Sequence, residues 1–175
     1  MNIVYGKKTY YIKEFKSSML LEKYLNTCTL KEIVSKDEYY ANKYEAIIIE
    51  GEEKFGIGLE YYDVGLNSSI LALNRQEKII CGFDSTVLII DTMINKVIFQ
   101  YQTSSLIYTI MYCFKLDKAI VIQEMGITII DTSGKIIFKS DFRDIIIDYN
   151  FIDDTDIYIM CEDGFEVKYA IKDII

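Results

Sequence analysis

Short apolar runs separated by polar or glycine-containing breaks make up the chain from Thr86 onward. The runs are rich in isoleucine, valine and aromatic residues, which favours β-strands. Several of them, such as "TVLIID" and "AIVIQ", are apolar at consecutive positions and do not alternate between apolar and polar. Consecutive apolar residues predict strands that are buried on both faces.

The order of these runs is repeated along the chain. Residues 85–99, "STVLIIDTMINKVIF", match residues 126–138, "GITIIDTSGKIIF", and residues 118–127, "KAIVIQEMGI", match residues 156–165, "DIYIMCEDGF". A partial earlier copy, "EKIICGFDSTVLII", resembles the same unit. Each period of about 40 residues holds about four strands, so the pattern resembles the repeats of β-propeller proteins, whose blades have four strands.

The predicted fold is mainly β (α+β). A closed propeller needs at least about four blades, and this chain holds only two to three copies of the repeat. We therefore expect two to three four-stranded, antiparallel, blade-like sheets in residues 65–175, arranged as an open, partial propeller. A small α+β region, residues 1–64, precedes these sheets and is expected to pack on them.

A hairpin, two helices and a further pair of strands are predicted in the N-terminal region. "NIVYGKKTYYIKEF" indicates a hairpin with Gly6-Lys7 at its turn, and "SSMLLEKYL" indicates a helix capped by Ser17 or Ser18. Thr29 and Glu32 stand in capping-box spacing, which predicts a second short helix with Leu30, Ile33 and Val34 on one face. "YEAIIIEGEEKFGIGLEYYD" predicts two strands with a turn at 50–54, and its "GIG" indicates a strand that another part of the chain approaches closely.

An Asp-Thr pair follows a strand in both copies of the repeat, at 91–92 and at 131–132. Both side chains can hydrogen bond to nearby backbone N–H groups, so the pair is typical of a turn. We therefore interpret it as a structural feature of the repeat.

Composition narrows the classes of protein. Hydrophobic residues make up 51% of the chain, which excludes a disordered protein. The net charge of −8 disfavours a nucleic-acid partner or an anionic membrane and permits a basic protein partner. No apolar run has the length of a membrane-spanning helix, and the N-terminus does not resemble a secretion signal. We expect a cytoplasmic protein.

Candidate catalytic chemistry is sparse. The chain has no His, so it lacks the commonest general base and metal ligand. Its four cysteines have no metal-binding or redox spacing, and buried thiols are the simplest interpretation of Cys81, Cys113 and Cys161. The "DDTD" at 153–156 does not fit a calcium loop. We expect no catalytic residue, no cofactor and no metal site, hence a protein that is not an enzyme.

This profile of a small, acidic β protein with 15 tyrosines and no catalytic motif resembles the immunity proteins of bacterial toxin systems. Those systems include contact-dependent growth inhibition and other polymorphic toxins. The resemblance implies a 1:1 complex with a cognate toxin, often a basic nuclease, whose active or substrate-binding surface the protein covers. Candidate partner-binding residues are Asp153, Asp154, Asp156, Glu162, Asp163 and Glu166 in the last repeat, and Glu50, Glu52 and Glu53 as a second patch.

Two other functions stay open. A partial propeller can be a structural or scaffold module for protein interaction that pairs with another chain to cover its sheet edges. Paired carboxylates can also support a hydrolase without any other catalytic group. The acidic residues named above can equally be solvated turn charges.

Overall fold

The computed structural model describes residues 2–5, 8–35, 40–152 and 155–174. The strands of the first part are β1 (Asn2–Tyr5), β2 (Lys8–Phe15), β3 (Leu30–Ser35), β4 (Lys43–Glu50) and β5 (Lys54–Tyr61), with one helix, α1 (Ser18–Leu25). The later strands are β6 (Ser69–Leu73), β7 (Lys78–Phe83), β8 (Thr86–Asp91), β9 (Lys96–Gln102), β10 (Ile107–Cys113), β11 (Lys118–Gln123), β12 (Gly126–Asp131), β13 (Ile136–Asp141), β14 (Ile146–Ile152), β15 (Asp156–Cys161) and β16 (Glu166–Ala170), followed by a 3-10 helix, Ile171–Asp173.

Contacts between residues divide the chain into two compact units, Met1–Gly65 and Leu66–Ile175. We call them the N-terminal unit and the C-terminal unit. The packing of the N-terminal region on the repeated sheets stays a prediction. No helix in the described ranges has the length and apolar composition that crossing a membrane requires.

The N-terminal unit is a five-stranded sheet in the order β1-β2-β4-β5-β3. The predicted hairpin is confirmed as the antiparallel pair β1–β2, although its turn at Gly6-Lys7 lies outside the described residues. The predicted strand pair is confirmed as β4–β5, also antiparallel. Ser17 caps α1, because its side-chain oxygen accepts a hydrogen bond from the backbone N–H of Leu20.

The prediction of a second helix from Thr29 and Glu32 is wrong. Residues 30–35 form strand β3, which pairs in parallel with β5. The backbone N–H of Thr29 already donates to the carbonyl oxygen of Lys54 at 2.8 Å. A six-residue segment gains little from helix formation alone, whereas the edge of β5 offers it a row of hydrogen-bonding partners.

Helix α1 packs against the sheet at two glycines of β5, Gly56 and Gly58. Leu21 and Leu25 are fully buried. A Cβ atom built on Gly56 would come within 2.7 Å of Leu25 Cδ2, and one on Gly58 within 2.8 Å of Leu25 Cδ1. The close approach predicted at "GIG" is therefore confirmed, and the approaching group is the buried face of α1.

Substituting Gly58→Ala is expected to lower the free energy of unfolding by about 1–3 kcal/mol, because the added methyl group overpacks the buried leucines. Urea denaturation followed by circular dichroism measures this change. The matched control is Gly51→Ala, where the new Cβ would meet the flexible Lys8 side chain at 3.2 Å, with an expected change within about 0.5 kcal/mol. Equal effects of the two substitutions would show that α1 does not depend on the glycines.

The C-terminal unit consists of three antiparallel sheets, two with the predicted four strands and one with three strands. We call them sheet I (β6-β7-β8-β9), sheet II (β10-β11-β12-β13) and sheet III (β14-β15-β16). The structural details repeat too. A β-bulge between Ile89 and Ile90 recurs between Ile129 and Ile130. The predicted fold class, an open array of blade-like sheets after an α+β region, is confirmed.

The central strands of sheet II, β11 and β12, are buried on both faces, as their consecutive apolar residues predicted. Ala119 and Val121 belong to the apolar cluster shared with sheet I. Ile120 and Ile122 belong to the cluster shared with sheet III. The predicted burial of Cys81, Cys113 and Cys161 is confirmed, and none of the four cysteines, all of which lie in the described ranges, forms a disulfide.

The Asp-Thr pairs form turns, as predicted. Asp91 Oδ1 accepts hydrogen bonds from the backbone N–H groups of Met93 and Ile94 at 2.9 and 3.2 Å. Asp131 Oδ1 accepts from Ser133 and Lys135 in the same way, at 2.9 and 3.0 Å. Burial alone raises the pKa of Asp131, but these hydrogen bonds and that of the Ser133 hydroxyl hold it below its ordinary value of 3.8.

Asp131→Ala is expected to lower the free energy of unfolding by about 1–2 kcal/mol at neutral pH, because the turn loses its charged acceptor. The folded-state pKa of Asp131 lies below its unfolded-state value. The stabilisation is therefore complete when the pH is well above the ordinary pKa of 3.8, and it is lost as the pH falls through the folded-state pKa.

Urea unfolding of both proteins from about pH 7 to about pH 2 should show the difference shrinking in acid. The exposed Asp173 provides the control, since Asp173→Ala should change little at any pH. A difference that stays constant with pH would exclude the Asp131 carboxylate as its cause.

Candidate binding surface on sheet III and the adjacent cavity

The two faces of sheet III differ sharply. Along β15, Ile157, Ile159 and Cys161 are buried in the cluster shared with sheet II. The alternating residues Asp156, Tyr158 and Met160 lie on the opposite face. The strand register places neighbours from β14 and β16 beside them. We call this opposite side the outer face; its residues are Asp148, Asn150, Ile152, Asp156, Tyr158, Met160, Glu166, Lys168 and Ala170.

The outer face departs from the repeat. In sheet II, the equivalent positions are Ile120, Ile122, Ile127 and Ile129, all buried against sheet III. Their pairing, Ile120 with Ile129 and Ile122 with Ile127, corresponds to Tyr158 with Lys168 and Met160 with Glu166 in sheet III. A surface with charges at these positions does not favour another sheet stacked on it, because the charges would be buried without partners.

Negative charge predominates on the outer face. Lys168 Nζ lies 2.8 Å from Asp156 Oδ2, and this hydrogen bond lowers the pKa of Asp156. Asp148 and Glu166 are exposed. Burial, followed by the hydrogen bond and charge of Glu166 and the charge of Asp148, raises the pKa of Tyr158. The Tyr158 ring therefore lies in the negative field of two exposed carboxylates.

The structure distributes the sequence-predicted residues of the last repeat over two places. Asp156 and Glu166 lie on the outer face. Glu162 and Asp163 lie in the turn between β15 and β16, where both are exposed. Asp153 and Asp154 lie outside the described residues. Asp148 and Tyr158 were not predicted from the sequence, because only the register of three strands places them beside Glu166.

The second predicted patch belongs to the N-terminal unit. Glu52 and Glu53 are exposed in the turn between β4 and β5. Glu50 is engaged within the protein: it accepts a hydrogen bond from the Tyr11 hydroxyl at 2.7 Å and pairs with Lys54 at 3.1 Å. These two interactions lower the pKa of Glu50, so its carboxylate already has partners that an external ligand would have to displace.

Tyr24 of helix α1 completes this polar group. Its hydroxyl lies 3.0 Å from that of Tyr11 and accepts a hydrogen bond from Lys54 at 3.1 Å, while Lys13 Nζ lies 3.9 Å from the ring centroid. Burial by itself raises the pKa of Tyr24, but the hydrogen bonds and the two lysine charges lower it below 10.0. The group ties α1 to strands β2 and β5.

A cavity of about 390 Å³ lies where sheet II connects to sheet III. The connection between β13 and β14 and the turn between β15 and β16 form its walls. Its lining residues are Asp141, Phe142, Arg143, Asp144, Cys161, Asp163 and Phe165. The Phe142 and Phe165 rings are tilted, with centroids 6.0 Å apart, and Phe165 is 49% exposed.

The cavity lies at a second departure from the repeat. The backbone hydrogen bond from Ile107 to Asp84, which joins sheets I and II, recurs from Ile146 to Glu124 between sheets II and III. The side chains beside it do not recur. "TSSL" at 103–106 becomes "FRDI" at 142–145, and the two-residue turn at 124–125 becomes a four-residue turn at 162–165.

The equivalent position between sheets I and II is filled by hydroxyl side chains. Thr103 Oγ1 donates to the backbone carbonyls of Ser85 and Ser105 at 2.9 and 2.7 Å. Ser105 Oγ accepts from the backbone N–H of Met125 at 3.1 Å. The cavity was not predicted from the sequence. The change from "TSSL" to "FRDI" between two otherwise matching copies of the repeat could have indicated it.

The electrostatics of the cavity are negative. Burial, then the charges of Asp163 and Asp144, raises the pKa of the Cys161 thiol. Asp144 and Asp163 each accept a hydrogen bond from a backbone N–H, of Ile145 and Phe165 respectively. In the described part of the chain, no side chain donates a hydrogen bond to either carboxylate. No set of three or more His, Cys, Asp or Glu residues in that part could hold a metal ion.

Comparisons with known proteins bear on the fold. No protein-family model and no curated protein matches the chain. BamB from Moraxella catarrhalis is 14% identical over 73% of this chain and 40% of its own, with a TM-score of 0.47. A chain of a mitotic checkpoint complex is 8% identical over 75% of this chain and 47% of its own, with a TM-score of 0.50.

This chain therefore spans less than half the length of either protein. Both of these solved structures contain β-propellers. At such low identity the likeness shows the fold alone. The three repeated sheets and the likeness to the checkpoint-complex chain, with its TM-score of 0.50, show that the chain contains an open, partial β-propeller.

The asymmetry between sheets II and III can be tested by exchanging equivalent residues. Ile129→Lys is expected to lower the free energy of unfolding by about 3–5 kcal/mol, because it buries an unpaired charge between two sheets. Lys168→Ile should change it by no more than about 1 kcal/mol, the value of an exposed ion pair. Urea denaturation of both variants provides the measurement. Similar losses from the two substitutions would contradict the assignment of the outer face to solvent.

Proposed function

We propose that this protein acts by binding another protein and that the outer face of sheet III is its binding surface. One observation carries the proposal: four isoleucine positions of sheet II are occupied by Tyr158, Met160, Glu166 and Lys168 in sheet III. The outer face thus combines an aromatic ring and a methionine with a surround of charged residues. That combination is typical of protein interfaces, which have an apolar centre and a polar rim.

The charge of the surface favours a basic partner. Asp148 and Glu166 are exposed carboxylates, and the whole chain has a net charge of −8. Such a field accelerates the approach of a positively charged domain and disfavours acidic competitors. It also opposes a dimer in which two outer faces meet, because like charges would face one another. The proposed activity is binding without turnover of a substrate.

Neutralisation of a cognate toxin in the cytoplasm is a narrower form of this proposal. The partner would then be a basic nuclease domain, held in a 1:1 complex. The acidity of the outer face supports this form, since its carboxylates would occupy the place of nucleic-acid phosphates on the enzyme. Inhibition of the captured partner's nuclease activity by the purified protein would distinguish it from a scaffold role.

The test of the binding surface uses two double variants with the same change in net charge. Asp148→Lys/Glu166→Lys alters the outer face, and Glu52→Lys/Glu53→Lys alters the second patch. A partner captured from the native cells is identified by mass spectrometry and purified, and its Kd is measured for each form. We expect the outer-face variant to bind about tenfold or more weakly, with less than about a threefold change for the control.

Circular dichroism and urea denaturation establish that both variants are folded. Equal weakening by the two variants would mean that net charge alone drives association and would contradict the proposed surface. Weakening by the control variant alone would place the interface on the N-terminal unit. A partner with an acidic binding surface would contradict the proposed electrostatic basis.

A further inference from the structure

The cavity beside sheet III has the dimensions and the wall chemistry of a ligand site. Its volume of about 390 Å³ falls within the range of about 300–1,000 Å³ that is common for such sites. Two aromatic rings and several charged groups line it, and Phe165 exposes an aromatic ring to solvent. The repeat does not require this composition, because the matching junction between sheets I and II is built from Thr and Ser side chains.

The carboxylates of the cavity are not all neutralised within the protein. Asp141 accepts a hydrogen bond from Ser104 at 2.8 Å and pairs with Lys139 at 3.1 Å. Among the residues that the structure describes, Asp144 and Asp163 accept hydrogen bonds from backbone N–H groups alone. Arg143 also lines the cavity but forms no ion pair within the described ranges, so it offsets the negative charge of the carboxylates only in part.

The Cys161 thiol lies in the wall of the cavity, near both carboxylates. It is buried, and both Asp163 and Asp144 contribute to the upward shift of its pKa. Both carboxylates therefore act on one point in the wall of the cavity. A cation entering the cavity would experience both charges at once, in a place partly shielded from water, where the attraction is stronger than at an open surface.

The walls also select the type of cation. Phe142 and Phe165 line the cavity with aromatic surface suited to a planar, weakly hydrated group, and the two carboxylates supply separate acceptors. A guanidinium group satisfies both features, because it stacks on aromatic rings and carries five N–H donors in one plane. An ammonium group is more strongly hydrated and lacks the flat surface, so it fits the rings less well.

We propose that this cavity binds the guanidinium group of an arginine side chain, with Asp144 and Asp163 as acceptors and Phe142 and Phe165 as stacking surfaces. The inference rests on the proposed function only for the source of the arginine, which a basic protein partner supplies. In that complex, the arginine acts as an anchor at the edge of sheet III. Arg143 is a like charge at the same cavity and weakens the interaction.

The experiment first uses a small probe that does not require the partner. N-acetyl-arginine amide is titrated into the isotopically labelled full chain, and chemical shifts are followed by NMR. The uncharged control probe is N-acetyl-citrulline amide, which has nearly the same shape. We expect saturable shifts at Phe142, Asp144, Asp163 and Phe165 with a Kd on the order of 1–10 mM, and binding that weakens as the salt concentration rises.

Three variants sharpen the test. Asp144→Asn/Asp163→Asn keeps the acceptor oxygens for the turn but removes the charges, and should weaken probe binding by about fivefold or more. Arg143→Gln should strengthen it by about two- to fivefold. The outer-face variant Asp148→Lys/Glu166→Lys should retain probe binding. This last arm separates failure of the cavity inference from failure of the proposed binding surface.

The inference is overturned if citrulline and arginine probes bind equally, if the shifts occur away from the cavity, or if no saturable shifts appear. It is also overturned if Asp144→Asn/Asp163→Asn leaves the arginine affinity unchanged. Loss of partner binding in the outer-face variant, with probe binding intact, supports both proposals together. Intact partner binding in that variant, with probe binding also intact, removes the proposed surface and leaves the arginine site.

Discussion

The C-terminal unit depends on the burial of both faces of one sheet. Sheet II supplies Ala119 and Val121 to one apolar cluster and Ile120 and Ile122 to another. Sheets I and III each pack one face against sheet II, and in sheet I the central strands β7 and β8 are buried at consecutive positions as well. Apolar burial of this kind is the main stabilising term in folding, and here it is concentrated in consecutive residues of the central strands.

The same constraint decides where the array can interact with other molecules. A sheet that supports the next sheet needs an apolar face, whereas a sheet that meets water or a polar partner does not. The change from isoleucine to Tyr158, Met160, Glu166 and Lys168 occurs on one face only, while Ile157 and Ile159 on the other face remain buried. One face of these three strands thus contributes to the apolar core, and the opposite face is open to solvent. This separation allows the outer face to vary in chemistry with little cost to the core.

The candidate sites coincide with departures from the repeat, not with the repeated elements. The Asp-Thr turns and the β-bulges recur because each copy needs them to fold. The connection at 142–145 and the longer turn at 162–165 break the pattern, and together they form the cavity. Loops carried on a rigid scaffold are where proteins commonly place binding residues. The hydrogen bonds that join neighbouring sheets are retained at this junction, so the altered side chains project from a regular backbone framework.

Local sequence determined the strands of the C-terminal unit, helix α1, the turns at Asp91 and Asp131 and the two-to-three-sheet repeat, because each depends on residues close together in the chain. It failed at 30–35, where pairing with distant β5 outweighed a short helical signal. Only the tertiary structure decided that Asp148, Tyr158 and Glu166 share one face, since that depends on the register of three strands. It also decided the cavity, whose walls come from two loops about 20 residues apart. The secondary-structure preference of a segment depends on residues that are neighbours in the chain. The chemistry of a surface depends on which distant residues the pairing of strands brings together.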